Sequence, residues 1–159
     1  EWEALNRRDP VRYARLWQAL AEMGVTMAML PEALSGMTLG ADDHYAILHT
    51  LGRACPALGC ALISHDIALA LLAEAGGSAV PDACLEDAFS LLGSPLDALP
   101  ETPFILDRDG DGWRVSGRMR SALPDADWRV FAARHDGGLK LCRVRSGAPG
   151  LTETPTTGG

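Results

Sequence analysis

Three stretches of this chain bring together side chains that could do chemistry. Ser64, His65 and Asp66 are consecutive and supply the residue types of a nucleophile, a base and an orienting acid. The surrounding sequence reads as a helix, on which neighbouring side chains point about 100° apart. They cannot line up as a relay there, and the expectation is a polar patch facing a cavity or a subunit contact. Asp107, Asp109 and Asp111, followed by Gly112, match the opening of a calcium loop. The position that must close such a loop with a bidentate carboxylate is Arg118, and strand-like sequence follows. The run is therefore read as a hairpin turn that binds no calcium. His44 and His49 are five residues apart, on different helix faces, and make no metal pair. No P-loop, G-x-G-x-x-G or G-x-S-x-G pattern is present. Composition and spacing alone yield no catalytic constellation.

Composition narrows the class. The chain has 159 residues, 47% of them hydrophobic, enough for one or two small domains with a core. Its net charge of −7 is spread along the chain, with no Lys/Arg run, which argues against a nucleic-acid partner. The longest uncharged apolar run near the centre, residues 54–65, falls short of the ~18 residues a bilayer span needs. No signal peptide is visible and the first residue is Glu1 rather than methionine, as in a fragment or a processed product. Cys55, Cys60, Cys84 and Cys142 sit in apolar surroundings with no C-x-x-C pair and no zinc spacing. They read as reduced core residues of a cytoplasmic protein.

The elements that position these residues follow from periodicity. Asp9-Pro10 has the form of an N-cap and first helical position, and Tyr13, Leu16, Trp17 and Leu20 give the helix its apolar stripe until Gly24. Residues 42–55 and 57–75 read as two consecutive helices broken at Pro56, the first capped by Asp42 or Asp43. The second is apolar nearly all round, so it belongs at the centre of a helical unit. Residues 82–92 begin as a short helix, and Pro95, Pro100 and Pro103 then impose a loop or edge. Four strands follow, at 104–107, 113–117, 128–134 and 139–144, joined in pairs by Asp109-Gly110-Asp111-Gly112 and Asp136-Gly137-Gly138. The expected fold is α+β: an N-terminal α-helical bundle over residues 1–84, a small antiparallel β-barrel-like domain over 85–151, and a polar tail over 152–159.

Two motif runs carry a resemblance. Leu16-Trp17-Gln18-Ala19-Leu20-Ala21-Glu22-Met23-Gly24, followed by Pro31-Glu32-Ala33-Leu34-Ser35-Gly36-Met37-Thr38-Leu39-Gly40, resembles the "l-x-e-l-G-l…P-E-x-x-G-G-x-G" run of the acyl-CoA dehydrogenase family. Asp109-Gly110-Asp111-Gly112-Trp113, with Gly117 and then Ala126-Asp127-Trp128-Arg129-Val130-Phe131-Ala132-Ala133-Arg134, is similar to that family's "D-G-x-W-x-l-x-G…A-D-x-x-x-v-x-A-R" middle domain. The resemblance implies an N-terminal helical domain and a β middle domain, with a C-terminal four-helix domain carrying the catalytic glutamate expected beyond Gly159. It implies FAD and an acyl thioester, acyl-CoA, held between middle and C-terminal domains of an oligomer of homologous subunits. The reaction it implies is α,β-dehydrogenation, in which the flavin carries the redox chemistry.

The resemblance places the flavin against Phe89, Leu91, Leu92, Ser94 and Ser121, and assigns no catalytic residue within this chain. Phe89-Ser90-Leu91-Leu92-Gly93-Ser94-Pro95 aligns with the family's "F-A-L-T-E-P-x-x-G-S-D", with Leu92 where the family has a flavin-contacting threonine. The segment 118–126 lacks the aromatic residue that the family sets beside the isoalloxazine. These departures predict that the chain alone holds flavin weakly or not at all. Three functions follow as expectations: a flavoenzyme whose base lies elsewhere, a non-catalytic partner subunit, and a small helical binding module with an apolar pocket.

Overall fold

Helix α1 (Pro10–Glu22) buries Trp17 and Leu20 on the stripe its periodicity predicts, and the chain leaves it through Gly24 at φ 75°. The computed structural model describes residues 10–76, 87–91, 104–118 and 126–152. Single 3₁₀ turns follow at Val25–Met27 and Glu32–Leu34. Between and after them the main chain closes on itself: Gly36 N–H donates to Pro31 O, Thr38 N–H to Leu30 O and Leu39 N–H to Ala28 O. A Cβ on Gly36 would stand 2.0 Å from the Leu30 carbonyl oxygen, so only glycine fits this point of the Pro-Glu motif.

Helices α2 (Ala41–Ala54) and α3 (Pro56–Glu74) form an antiparallel hairpin with Cys55 as the corner. Pro56 opens α3 at its first position, where a missing N–H costs nothing, rather than separating the two helices. The N-cap of α2 is Gly40, with no side-chain cap bond. Asp42 and Asp43 lie instead in the first turn, where their charge still complements the helix dipole. Near the corner the helices touch at Gly52 and Gly59, where a Cβ on Gly59 would meet Gly52 main chain at 3.3 Å. Small residues at this crossing let the backbones approach.

The 19 residues of α3 are long and apolar enough to cross a bilayer by length and composition, which the shorter uncharged run had not suggested. More than half of that window is buried inside the fold, as in the central helix of a packed domain. Leu58, Ala61 and Leu62 meet Trp17 and Leu20 of α1. Ala68, Leu69 and Leu72 meet Met27, Leu30, Phe89 and Val130. The exposed face of α3 carries Cys60, which therefore departs from the buried environment its apolar neighbours suggest. Cys55 is buried, Cys142 half-buried, and Cys84 lies outside the described residues.

One sheet contains β1 (Phe89–Leu91), β2 (Ile105–Asp109), β3 (Gly112–Ser116), β4 (Trp128–His135) and β5 (Gly138–Arg145). The two hairpins form as read, with two-residue turns at Gly110-Asp111 and Asp136-Gly137. Gly110, Asp136 and Gly137 all take positive φ, the conformation such tight turns require. Two expectations change. Residues 89–91 are strand, because Phe89 and Leu91 project into the core beside β4, while the short helix expected to begin at residue 82 lies outside the described residues. The sheet is mixed and open rather than an antiparallel barrel: β4 runs parallel to both β1 and β2, and antiparallel only to β5. A local turn pattern reveals hairpins, but the β1–β4 pairing joins residues 39 apart in the chain, as Phe89 with Trp128, and leaves no local signal. A smaller apolar cluster of Phe104, Leu106, Phe131 and Ala133 packs on the other face of the sheet.

Candidate functional site

The site is the junction between helix α3 and strand β1. Ser64 and His65 interrupt the apolar surface of α3, and each is fixed by an element on another side of the core. His65 is fully buried. Its Nδ1 accepts the Phe89 N–H at 3.1 Å. That leaves the proton on Nε2, which donates to the Thr26 carbonyl at 2.9 Å. The ring stands edge-on to Trp17 at 5.1 Å and to Phe89 at 5.7 Å. Burial pushes the imidazole pKa down to about 4, against the opposing bond to Thr26, so the ring is neutral at pH 7. Ser64 Oγ accepts the Leu91 N–H at 2.9 Å. Alternate main-chain donors of β1 thus end on consecutive side chains of one helix.

Asp127 completes the junction from the sheet side. Its carboxylate accepts the Ala88 N–H at 2.8 Å, while its own N–H donates back to the Ala88 carbonyl at 2.8 Å. Trp128 Nε1 donates to Asp87 at 2.9 Å, and the Trp128 ring stacks on Phe89. The Ala-Asp-Trp run is therefore a clamp on the residues that lead into β1. Arg129, at 2% exposure, lies beneath it and donates to the Ala126 carbonyl.

Asp66, the third member of the polar run, turns to α2. His44 Nε2 lies 3.0 Å from Asp66 Oδ2. The contact is a close approach without a hydrogen bond: neither Asp66 Oδ2 nor His44 Nδ1 has a hydrogen-bond partner. The three polar residues therefore reach three elements, and no shared reacting point exists among them. The other sequence candidates also separate. His44 is buried, whereas His49 is exposed and stacks on Tyr45. Asp109 is held by Arg114 at 2.7 Å across the β2–β3 hairpin. Among the described residues no group of three His, Cys, Asp or Glu side chains has the geometry of a metal site.

Of the five residues that resemblance sets against FAD, Leu92, Ser94 and Ser121 lie outside the described residues. Phe89 and Leu91 are described, and both of their N–H groups are spent on α3. Phe89 is also fully buried. On this pair no free main-chain donor remains for a flavin, and the fit is poor. Sequence reasoning gave Ser64 and His65 no partner and passed over Asp127; the signal was the polar pair itself, set into a helix apolar nearly all round.

The comparisons with known proteins agree with this architecture. Residues 1–90 match the acyl-CoA dehydrogenase N-terminal domain, more than half of the chain, and the chain belongs to the acyl-CoA dehydrogenase family. Among solved structures it is similar to a chain of the ChsE4-ChsE5 complex from Mycobacterium tuberculosis, with a TM-score of 0.61 and 27% identity. The match covers 88% of this chain and 40% of that one, so this chain spans well under half the length of its structural relative. No curated protein matched.

Proposed function

We propose that this chain serves acyl thioester α,β-dehydrogenation as a partner subunit, assembled with a homologous subunit that bears most of the flavin contacts. The observation that carries this reading is the commitment of the Phe89 and Leu91 N–H groups to His65 and Ser64. Each main-chain donor that stays inside the fold is one fewer for a cofactor, and a lost hydrogen bond removes about 1 kcal/mol of binding. Leu92 in place of the family's threonine, and a segment 118–126 without an aromatic residue, act in the same direction. The structural relative is itself described as a complex of two proteins, which supports a hetero-oligomer of related chains.

A full flavoenzyme is the second reading, favoured by family membership and by the additional length of the relative, of which the match covers 40%. In that reading both the catalytic base and the remaining flavin contacts come from that additional length. A base must come within hydrogen-bonding reach of the α-proton.

Titration of the purified chain with FAD, followed by flavin fluorescence, separates the two. The partner reading expects no saturation at micromolar FAD and a colourless protein that co-purifies with a flavin-bearing family member. Sub-micromolar binding, or turnover of an acyl-CoA with an electron acceptor by the chain alone, would overturn it.

A further inference from the structure

Thr26 and Asp66 each leave a buried polar atom without a hydrogen-bond partner. Thr26 is 2% exposed and gives its carbonyl to His65, yet its Oγ1 is unpartnered, as is Asp66 Oδ2. Both residues line one cleft of about 210 Å³, between α3 and the loop that follows the first 3₁₀ turn. Met29, Leu30 and Pro31 supply one wall and Leu69, Ala70 and Ala73 the other, so the walls are aliphatic. Asp66, Ala70 and Glu74 recur at four-residue spacing along one face of α3. That spacing puts a carboxyl at either end of the cleft: Asp66, its side chain 11% exposed, and the exposed Glu74.

We propose that this cleft binds a primary alkylammonium group on a short aliphatic stem, with the ammonium held by the Asp66 carboxyl and the Thr26 hydroxyl. Buried polar groups normally have partners, and two orphans on one cleft mark where a ligand's polar end belongs. An ammonium brings three donors and no acceptor, which suits two oxygens that lack a donor. Its methylenes leave water along Leu30, Leu69 and Ala73, while Glu74 at the other end attracts the positive charge. Both orphan atoms lie just beneath the cleft surface. Met29, 41% exposed and unbranched, is the wall that shifts to uncover them.

Other polar ligands fit less well. A carboxylate or phosphate would meet Asp66 and Glu74 as like charges. A guanidinium is a rigid planar fork with five donors, more than the two oxygens can accept. No residue of the cleft carries a positive charge that would already compensate Asp66. His44 approaches Asp66 Oδ2 to 3.0 Å from the α2 side without a hydrogen bond, so it leaves that acceptor unused. Burial raises the Asp66 pKa to about 8. Binding is therefore measured at pH 9, where the carboxyl is ionised and an alkylammonium keeps its proton.

The test is a titration of the purified chain with pentylammonium chloride, read by the methyl resonances of Met29, Leu69, Ala70 and Ala73. Saturable shifts at millimolar amine are expected. Pentanol, which keeps the stem, and ammonium chloride, which keeps the charge, are each expected to bind at least about tenfold more weakly. Asp66→Asn is expected to weaken pentylammonium binding by about tenfold or more. Ala70→Leu, at an exposed position of the wall, is expected to block the cleft and leave the fold intact. Nα-acetyl-lysine amide presents the same group on a peptide. Affinity equal to that of pentylammonium assigns the cleft to a lysine side chain of another protein, and weaker binding assigns it to a free amine; both bear out alkylammonium recognition. Equal affinity for pentanol, or pentylammonium affinity unchanged in Asp66→Asn or in Ala70→Leu, would overturn it.

Discussion

The Nδ1 of His65 and the N–H of Phe89 meet at 3.1 Å in a region where both residues are fully buried. That contact joins the central helix to the first strand, and its partner on the same ring joins the helix to Thr26. One side chain therefore holds three elements together. Its replacement by Leu leaves the Phe89 N–H and the Thr26 carbonyl unsatisfied in the core. His65→Leu is expected to destabilise the chain by about 2–4 kcal/mol, and His65→Gln, which keeps a donor and an acceptor, by distinctly less. Urea unfolding at pH 7 measures both. Equal losses would show that ring packing, not the two bonds, supplies the stability.

The same ring predicts an acid limit. Its pKa is lowered to about 4 by burial, so the folded chain resists a proton that the unfolded chain accepts below 6.5. The contribution is complete above pH 6.5 and is lost as the pH falls toward 4. The expected loss is of the order of 3 kcal/mol, and His65→Gln should not show it. A wild type and a Gln variant with parallel acid profiles between pH 6.5 and 4 would refute the assignment.

Ser64→Ala removes the acceptor for the Leu91 N–H and nothing else from the core. A cost of about 1–2 kcal/mol is expected, with faster hydrogen exchange at the Leu91 amide and no change at Phe89. An unchanged Leu91 amide would mean that the N–H finds another partner.

Leu69 and Leu51 were equivalent in sequence terms as apolar positions of the hairpin, but they are not equivalent in the fold. Leu69 is 1% exposed within the cluster that joins α3 to the sheet, whereas Leu51 is half-buried. Leu69→Asp is expected to abolish cooperative unfolding, because an unpaired buried carboxylate costs several kcal/mol against a marginal total. Leu51→Asp should leave a weakened but measurable transition. Circular dichroism melts of the two variants decide this.

Calcium is expected to leave the melting temperature unchanged. Asp109 already pairs with Arg114 across its own hairpin, and Arg118 stands at the closing position of the loop motif. A rise of several degrees with calcium, lost in Asp109→Ala, would contradict this.

What the sequence determined by itself was the local physics. The period of Tyr13, Leu16, Trp17 and Leu20 set the buried face of α1, and the all-round apolar character of α3 placed it at the centre. Asp109-Gly110-Asp111-Gly112 and Asp136-Gly137-Gly138 specified both hairpins, because their turn conformations depend on adjacent residues alone. The Pro-Glu…Gly run and the Ala-Asp-Trp run gave the family. Only the tertiary structure decided where the polar residues of α3 lead. Ser64, His65 and Asp66 are neighbours in the chain, yet their partners Leu91, Phe89 and His44 lie 27, 24 and 22 residues away. The parallel pairing of β4 with β1 and β2 was decided at the same level. Such pairings depend on how elements distant in sequence pack, and no turn or periodicity records that packing.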